Sequence, residues 1–266
     1  MKKLLTLLLL IPILSFGQTQ PIIKDCGGMK LYEYGSGDNA LISFHGLNGR
    51  YNDAATICYD IERSNVIDLT KFKVYALQLN SGDTDWGKND IAAVFAAVRN
   101  DGFSEVDITG LSLGGMAVIR AIAFNYDSTL TTWPRLKIKS CGIVCGKDDR
   151  NKWQLTAWSK VKIKAWHGTD DITMQYSNIS KFIAGINNLG ANAELISLNG
   201  VTHNAWTYAY DKEQPDNYYA WLRSLYEVDL EPPNKDPVKS ITVVSGSGQV
   251  ETESGKKYKL ELIPID

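Results

Sequence analysis

The chain has 266 residues, 44% of them hydrophobic, which suffices for one sizeable core. Its 28 basic and 30 acidic residues leave a formal charge of −2 with no long basic run, which argues against nucleic acid as a partner. Its four cysteines lack the Cys-x-x-Cys or histidine spacing of a metal centre, so no metal is expected.

Met1-Lys2-Lys3 precedes an apolar run over 4–14, and Ser15-Phe16-Gly17 supplies small residues at the positions a signal peptidase reads. This predicts a secretory signal over 1–17 with Gln18 as the new N-terminus. The run is shorter than the roughly 20 residues of a membrane span. A secreted or periplasmic protein without a membrane anchor is therefore expected.

Beyond it, β-type runs alternate with helical ones. Strands are predicted at 30–34, 40–44, 72–79, 106–109, 136–144, 161–166 and 193–198, the first two read as a pair. Helical spacing covers 53–63, 89–99, 115–126, 176–189 and 216–226. Strand and helix in alternation predict an α/β fold, a mostly parallel sheet covered on both faces, with ligands beyond the carboxyl ends of the strands. Cys141 lies on the predicted strand 136–144 and Cys145 directly at its end; four strand residues span about 13 Å, so the two cannot pair with each other. Cys26 with Cys58 stays open.

The predicted strand at 106–109 runs into Gly110-Leu111-Ser112-Leu113-Gly114 and then a helix, so Ser112 falls on a sharp strand-to-helix turn, the nucleophile-elbow pattern. The glycines are needed because a side chain two residues either side of the serine would clash where strand and helix fold together. His45-Gly46-Leu47-Asn48-Gly49 follows the strand 40–44; there the Leu47 N–H joins that of Leu113 as an oxyanion donor, and His45 braces the loop. His167-Gly168-Thr169-Asp170-Asp171 follows the strand 161–166; of its two adjacent carboxylates, Asp171 is chosen over Asp170 to orient a histidine. His203, after the last strand and 32 residues beyond Asp171, is the natural general base, because the other two histidines sit in His-Gly turns.

Four tryptophans lie in loops around these positions. Trp86, Trp153 and Trp206 are candidates for stacking on sugar or aromatic acyl groups, with Trp158 in the same short insertion as Trp153. At 228–240, Glu231-Pro232-Pro233 opens a stiff linker, and two strands at 241–244 and 258–263 are predicted beyond it. That piece either docks on the main domain at 18–227 or opens an immunoglobulin-like module within 241–266.

The order Ser112, Asp171, His203, with the motifs quoted and a closing Tyr218-Tyr219-Ala220-Trp221-Leu222, resembles the α/β-hydrolase superfamily, in its secreted esterase, dienelactone hydrolase-like and peptidase-like group, over roughly 30–226. Where that group follows its acid with Val-Pro, this chain has Thr173-Met174-Gln175, which leaves Asp170 against Asp171 open. The resemblance implies a serine hydrolase acting through an acyl-enzyme with no cofactor, on an ester substrate. An exported, open site with the tryptophan rim points to a carbohydrate esterase removing acetyl or feruloyl groups. A peptidase of the prolyl oligopeptidase type and a non-catalytic binding protein are the alternatives.

Overall fold

The computed structural model describes residues 20–64, 66–80, 83–148, 156–226, 238–244, 247–252 and 257–261. The signal segment, the linker up to residue 237 and Trp153 lie outside them, while residues 238–240 of the predicted linker are strand. Contacts divide the chain into two units, 1–220 and 221–266.

The first unit is built on an eight-stranded sheet. Its strands are β1 (Ile22–Cys26), β2 (Met29–Tyr34), β3 (Asn39–Phe44), β4 (Phe72–Gln78), β5 (Glu105–Leu111), β6 (Lys137–Val144), β7 (Lys162–Gly168) and β8 (Asn192–Leu198), in the spatial order β1-β2-β4-β3-β5-β6-β7-β8. β1 and β2 run antiparallel to their neighbours, and every pairing from β4 to β8 is parallel. The predicted strands 30–34 and 40–44 do not pair with each other. β4 lies between them, because antiparallel β2 lies against β4 and leaves β3 to pair with β4 and β5. β1 escaped prediction because four of its five residues are exposed, leaving no buried face to set an alternation.

Alternation in the central strands builds two cores. Ile42 and Ile108 join one apolar cluster with residues of α2 (Lys88–Asn100), α3 (Leu113–Tyr126) and α4 (Tyr176–Asn188). The intervening Thr109 faces the other side, where its hydroxyl meets Tyr210 at 3.1 Å. There the Tyr218 ring stands against Gly142, and Tyr219 hydrogen-bonds Asp60. These tyrosines belong to α6 (Tyr218–Ser224), and Asp60 to α1 (Ile57–Ser64). The start predicted for α1 at Asp53 fails because the Asp53 carboxylate accepts the N–H groups of Arg50 and Ala55, holding a turn. α3 is buried on all sides from Leu113 to Asn125, as a helix apolar all round must be. A one-turn helix, α5 (Trp206–Ala209), completes the unit.

All four cysteines are buried free thiols, so the Cys26–Cys58 bridge is not formed. In the second unit, β9 (Val238–Val244), β10 (Ser247–Thr252) and β11 (Lys257–Glu261) form an antiparallel sheet in the order β11-β10-β9. β10 occupies the stretch expected to be a connection. Its Ser247-Gly248-Gln249 start is too poor in β-branched residues to announce a strand, and pairing on both edges supplies the order instead.

Candidate active site

The loops after β3, β5, β7 and β8 meet at the carboxyl edge of the sheet. Ser112 caps α3 with φ 54 and ψ −114, a left-handed backbone that a serine adopts only where its surroundings impose it. They do so through close approach. A Cβ on Gly110 would lie 2.2 Å from the Gly114 carbonyl oxygen, and one on Gly114 would lie 2.1 Å from that of Phe44. Strand, elbow and the loop after β3 therefore touch backbone to backbone, as expected from the two glycines.

Ser112 Oγ lies 2.8 Å from His203 Nε2, and His203 Nδ1 lies 2.7 Å from Asp171 Oδ2. A carboxylate only accepts, so the Nδ1 proton is donated to Asp171 and the Nε2 lone pair faces the serine hydroxyl. Asp171, only 4% exposed, takes two backbone N–H bonds on its other oxygen, from Thr173 and Met174, each at 2.9 Å. Asp170 points into solvent beside the Thr169 hydroxyl. The loops of Asp171 and His203 are also locked together, since a Cβ on Gly168 would lie 2.1 Å from the Val201 carbonyl oxygen. An imidazole so held can take a proton from the hydroxyl as it attacks, while the carboxylate balances the resulting charge.

Beside the serine, the Leu113 N–H begins α3 and has no partner within the helix. The Gly46 carbonyl accepts the Nδ1–H of His45 at 2.7 Å and the N–H of Gly49 at 3.1 Å. The peptide is planar and trans, so fixing that carbonyl also fixes the direction of the Leu47 N–H on its far side. Gly46 lies against the elbow, with 3.5 Å from a Cβ placed on it to the Ser112 Cβ. His45 thus braces the loop that presents Leu47.

His167, expected in a plain His-Gly turn, does more. It is fully buried, its Nε2–H donates to the Met174 carbonyl at 2.5 Å, and the same nitrogen lies 3.2 Å from Asp171 Oδ2. Asp171 therefore sits between two imidazoles. The signal that could have found this is the i, i+4 spacing of His167 and Asp171 across the turn. Cys145 also stands here, with a left-handed φ of 50. Its sulfur, the Asp171 carboxylate and a His203 nitrogen lie within 4.8 Å of one another, one group among the described residues able to face a metal ion. Burial pushes the Cys145 thiol up to about 12, against the N–H groups of Ala205 and Trp206 that favour the thiolate. The thiol is thus protonated at neutral pH and the carboxylate is committed to its hydrogen bonds, a donor set that fits the proton path better than an ion.

The expected tryptophan rim is corrected in part. Trp86 is fully buried, packed edge-on against Phe44, with its indole N–H donated to the His45 carbonyl at 3.0 Å and its own carbonyl accepting from Arg120 at 2.9 Å. It is a strut between α3 and the Leu47 loop, placed inside because it brings its own hydrogen-bond partner. Trp158 is buried against Phe182. Only Trp206, half-buried and edge-on to His203 at 5.8 Å between ring centroids, stands beside the proton path among the three.

Burial lowers the pKa of both His45 and His167 below the ordinary 6.5, against the backbone carbonyls of Gly46 and Met174 that favour the charged form. Between the lowered folded value and 6.5 the unfolded chain binds more protons, so this stability is complete above about pH 6.5 and is lost as pH falls. Urea midpoints should fall between pH 7 and 5, and two imidazole resonances should titrate below 6.5. Level midpoints with ordinary imidazole titrations would contradict this.

No family model matches the sequence, and no curated protein matches it. Solved structures do. Est1E from Butyrivibrio proteoclasticus is 15% identical with a TM-score of 0.53, over 70% of this chain and 91% of that one. The Pyrococcus furiosus esterase Pf2001 is 14% identical with a TM-score of 0.52, over 69% and 83%. TT1662 from Thermus thermophilus is 13% identical with a TM-score of 0.52, over 79% and 98%. The mostly parallel eight-stranded sheet, its flanking helices and this structural likeness agree: the chain has the α/β-hydrolase fold.

Proposed function

We propose that the protein is an exported serine hydrolase that cleaves carboxylic esters, removing acetyl or feruloyl groups from carbohydrate. Ser112 attacks the acyl carbon as His203 takes its proton, Asp171 steadies the imidazolium, and the N–H groups of Leu47 and Leu113 receive the oxyanion. His203 then returns the proton to the departing alcohol. Water, deprotonated by the same imidazole, attacks the acyl-enzyme and releases the acid. The observation that carries this reading is the unbroken hydrogen-bonded path from Ser112 Oγ through His203 to Asp171. The fold shared with an esterase of Pyrococcus furiosus supports it. A carbohydrate-linked substrate draws its support from the indole of Trp206 beside His203, a surface on which sugar or feruloyl rings stack.

A fluorophosphonate probe tests the mechanism, and p-nitrophenyl acetate, methyl ferulate and a peptide anilide, assayed side by side, test the leaving group. Labelling with faster ester than anilide hydrolysis is expected. A protein that stays unlabelled is a binding protein, and one that prefers the anilide is a peptidase. Export is tested separately: N-terminal sequencing of protein recovered outside the cytoplasm should begin at Gln18, and retention of Met1 inside the cell overturns it.

A further inference from the structure

We propose that a basin beside the Leu47 loop is a subsite for a hydroxyl-rich glycosyl portion of the substrate. The proposal deepens the esterase reading and rests on it for the chemistry next door, although binding in the basin can be measured without any turnover. β2 runs antiparallel to β4, with Lys30 opposite Gln78, so the start of β2 stands at the same sheet edge as the carboxyl end of β4. Between this edge and the loop after β3 lies a cavity of about 640 Å³. That volume falls within the range of about 300–1,000 Å³ usual for small-molecule sites.

The floor of the basin is already organised. His45 donates from Nδ1 to Gly46, so its Nε2 is free to accept the Leu79 N–H at 3.2 Å. Gln78 accepts the Tyr51 N–H at 2.8 Å and donates to the Gly49 carbonyl at 3.1 Å, tying the loop across its width. One wall is aromatic: the rings of Tyr32 and Tyr51 stack at 3.4 Å between centroids and 12° between planes. Burial raises the pKa of the Tyr51 phenol, which therefore keeps its proton.

Around these stand the amides of Asn48 and Asn80, and the charges of Lys30 and Arg50, partly offset by Asp83. Amides and phenols both donate and accept, as sugar hydroxyls do, whereas an acyl chain would strip water from these groups and return nothing. The basin therefore suits the sugar and repels the acyl chain. His45 belongs both to this floor and to the loop that presents Leu47, so a ring bound here is held one short loop from Ser112. Binding of that remote part of the substrate would orient the ester at the serine.

The test uses the intact protein, with xylotriose and mono-acetylated xylotriose as probes, and the variants Asn80→Ala and Asn80→Ala/Tyr51→Ala. Calorimetry should show xylotriose binding that the double variant weakens by about tenfold, the loss expected for a hydrogen bond and a ring face. The kcat/KM for acetylated xylotriose relative to p-nitrophenyl acetate should fall by a similar factor, mainly through KM. Asn80 is exposed, so the single variant retains the native thermal midpoint and should show part of the same loss even if the double variant is destabilised. Absent xylotriose binding, or binding unchanged in both variants, overturns the subsite while leaving the esterase reading intact. Binding that depends on Asn80 and Tyr51 without hydrolysis of any ester upholds the subsite and overturns the esterase reading.

Discussion

Ser112→Ala protein will take up no fluorophosphonate and will hydrolyse p-nitrophenyl acetate on the order of 10⁶-fold more slowly than the native chain, with its fold retained. The size of the effect follows from the absence of any substitute. The hydroxyl is the group that faces the His203 lone pair at 2.8 Å, and the buried thiol nearby, Cys145, is held protonated by burial. Alanine also fits the space, because the elbow is set by Gly110 and Gly114 packing on backbone rather than by the serine side chain. Circular dichroism and the thermal midpoint should therefore match the native protein. Near-native turnover in the folded variant would remove the nucleophile from the proposal altogether.

Asp171→Asn is expected to lower kcat by about 10⁴-fold, whereas Asp170→Asn should change it by less than about threefold. The asymmetry comes from hydrogen-bond sense. The N–H groups of Thr173 and Met174 both donate to Asp171 Oδ1, so an asparagine must place its carbonyl oxygen there. Its NH2 then replaces Oδ2 and faces His203 Nδ1 and the Nε2–H of His167. His203 can answer only by moving its proton to Nε2, which removes the lone pair that the serine needs. The Asp170 side chain lies in solvent and accepts from the Thr169 hydroxyl, so its amide disturbs nothing on that path. Equal losses in the two variants, read by steady-state kinetics at one pH, would break the argument for Asp171.

Much of the sheet was legible because its strands carry their own period. Residues 40–44, 72–79 and 106–109 are short apolar runs between polar turns, and the helices between them show 3.6-residue spacing. The elbow was equally local, since two glycines flanking a serine at a strand end report a close approach of backbone whatever the rest of the chain does. The misses have a common character. β1 owes its order to pairing with β2, and β10 to neighbours on both edges, rather than to a buried face of their own. Trp86 and Trp158 sit in loop and turn sequence, and nothing adjacent to them announces that one reaches the His45 carbonyl and the other Phe182.

The alternation of strand and helix, the turn that holds Ser112 and the order of the three motif loops are written in local sequence, because each depends on residues within a few positions of one another. Which of two adjacent carboxylates meets His203, that His167 shares it, and that the basin of Tyr32 and Tyr51 opens beside the Leu47 loop emerge from the folded chain. The contact of Asp171 with His203 joins side chains 32 residues apart in the chain. The energies of these contacts come from burial and hydrogen-bond sense, which exist only once the strands are side by side.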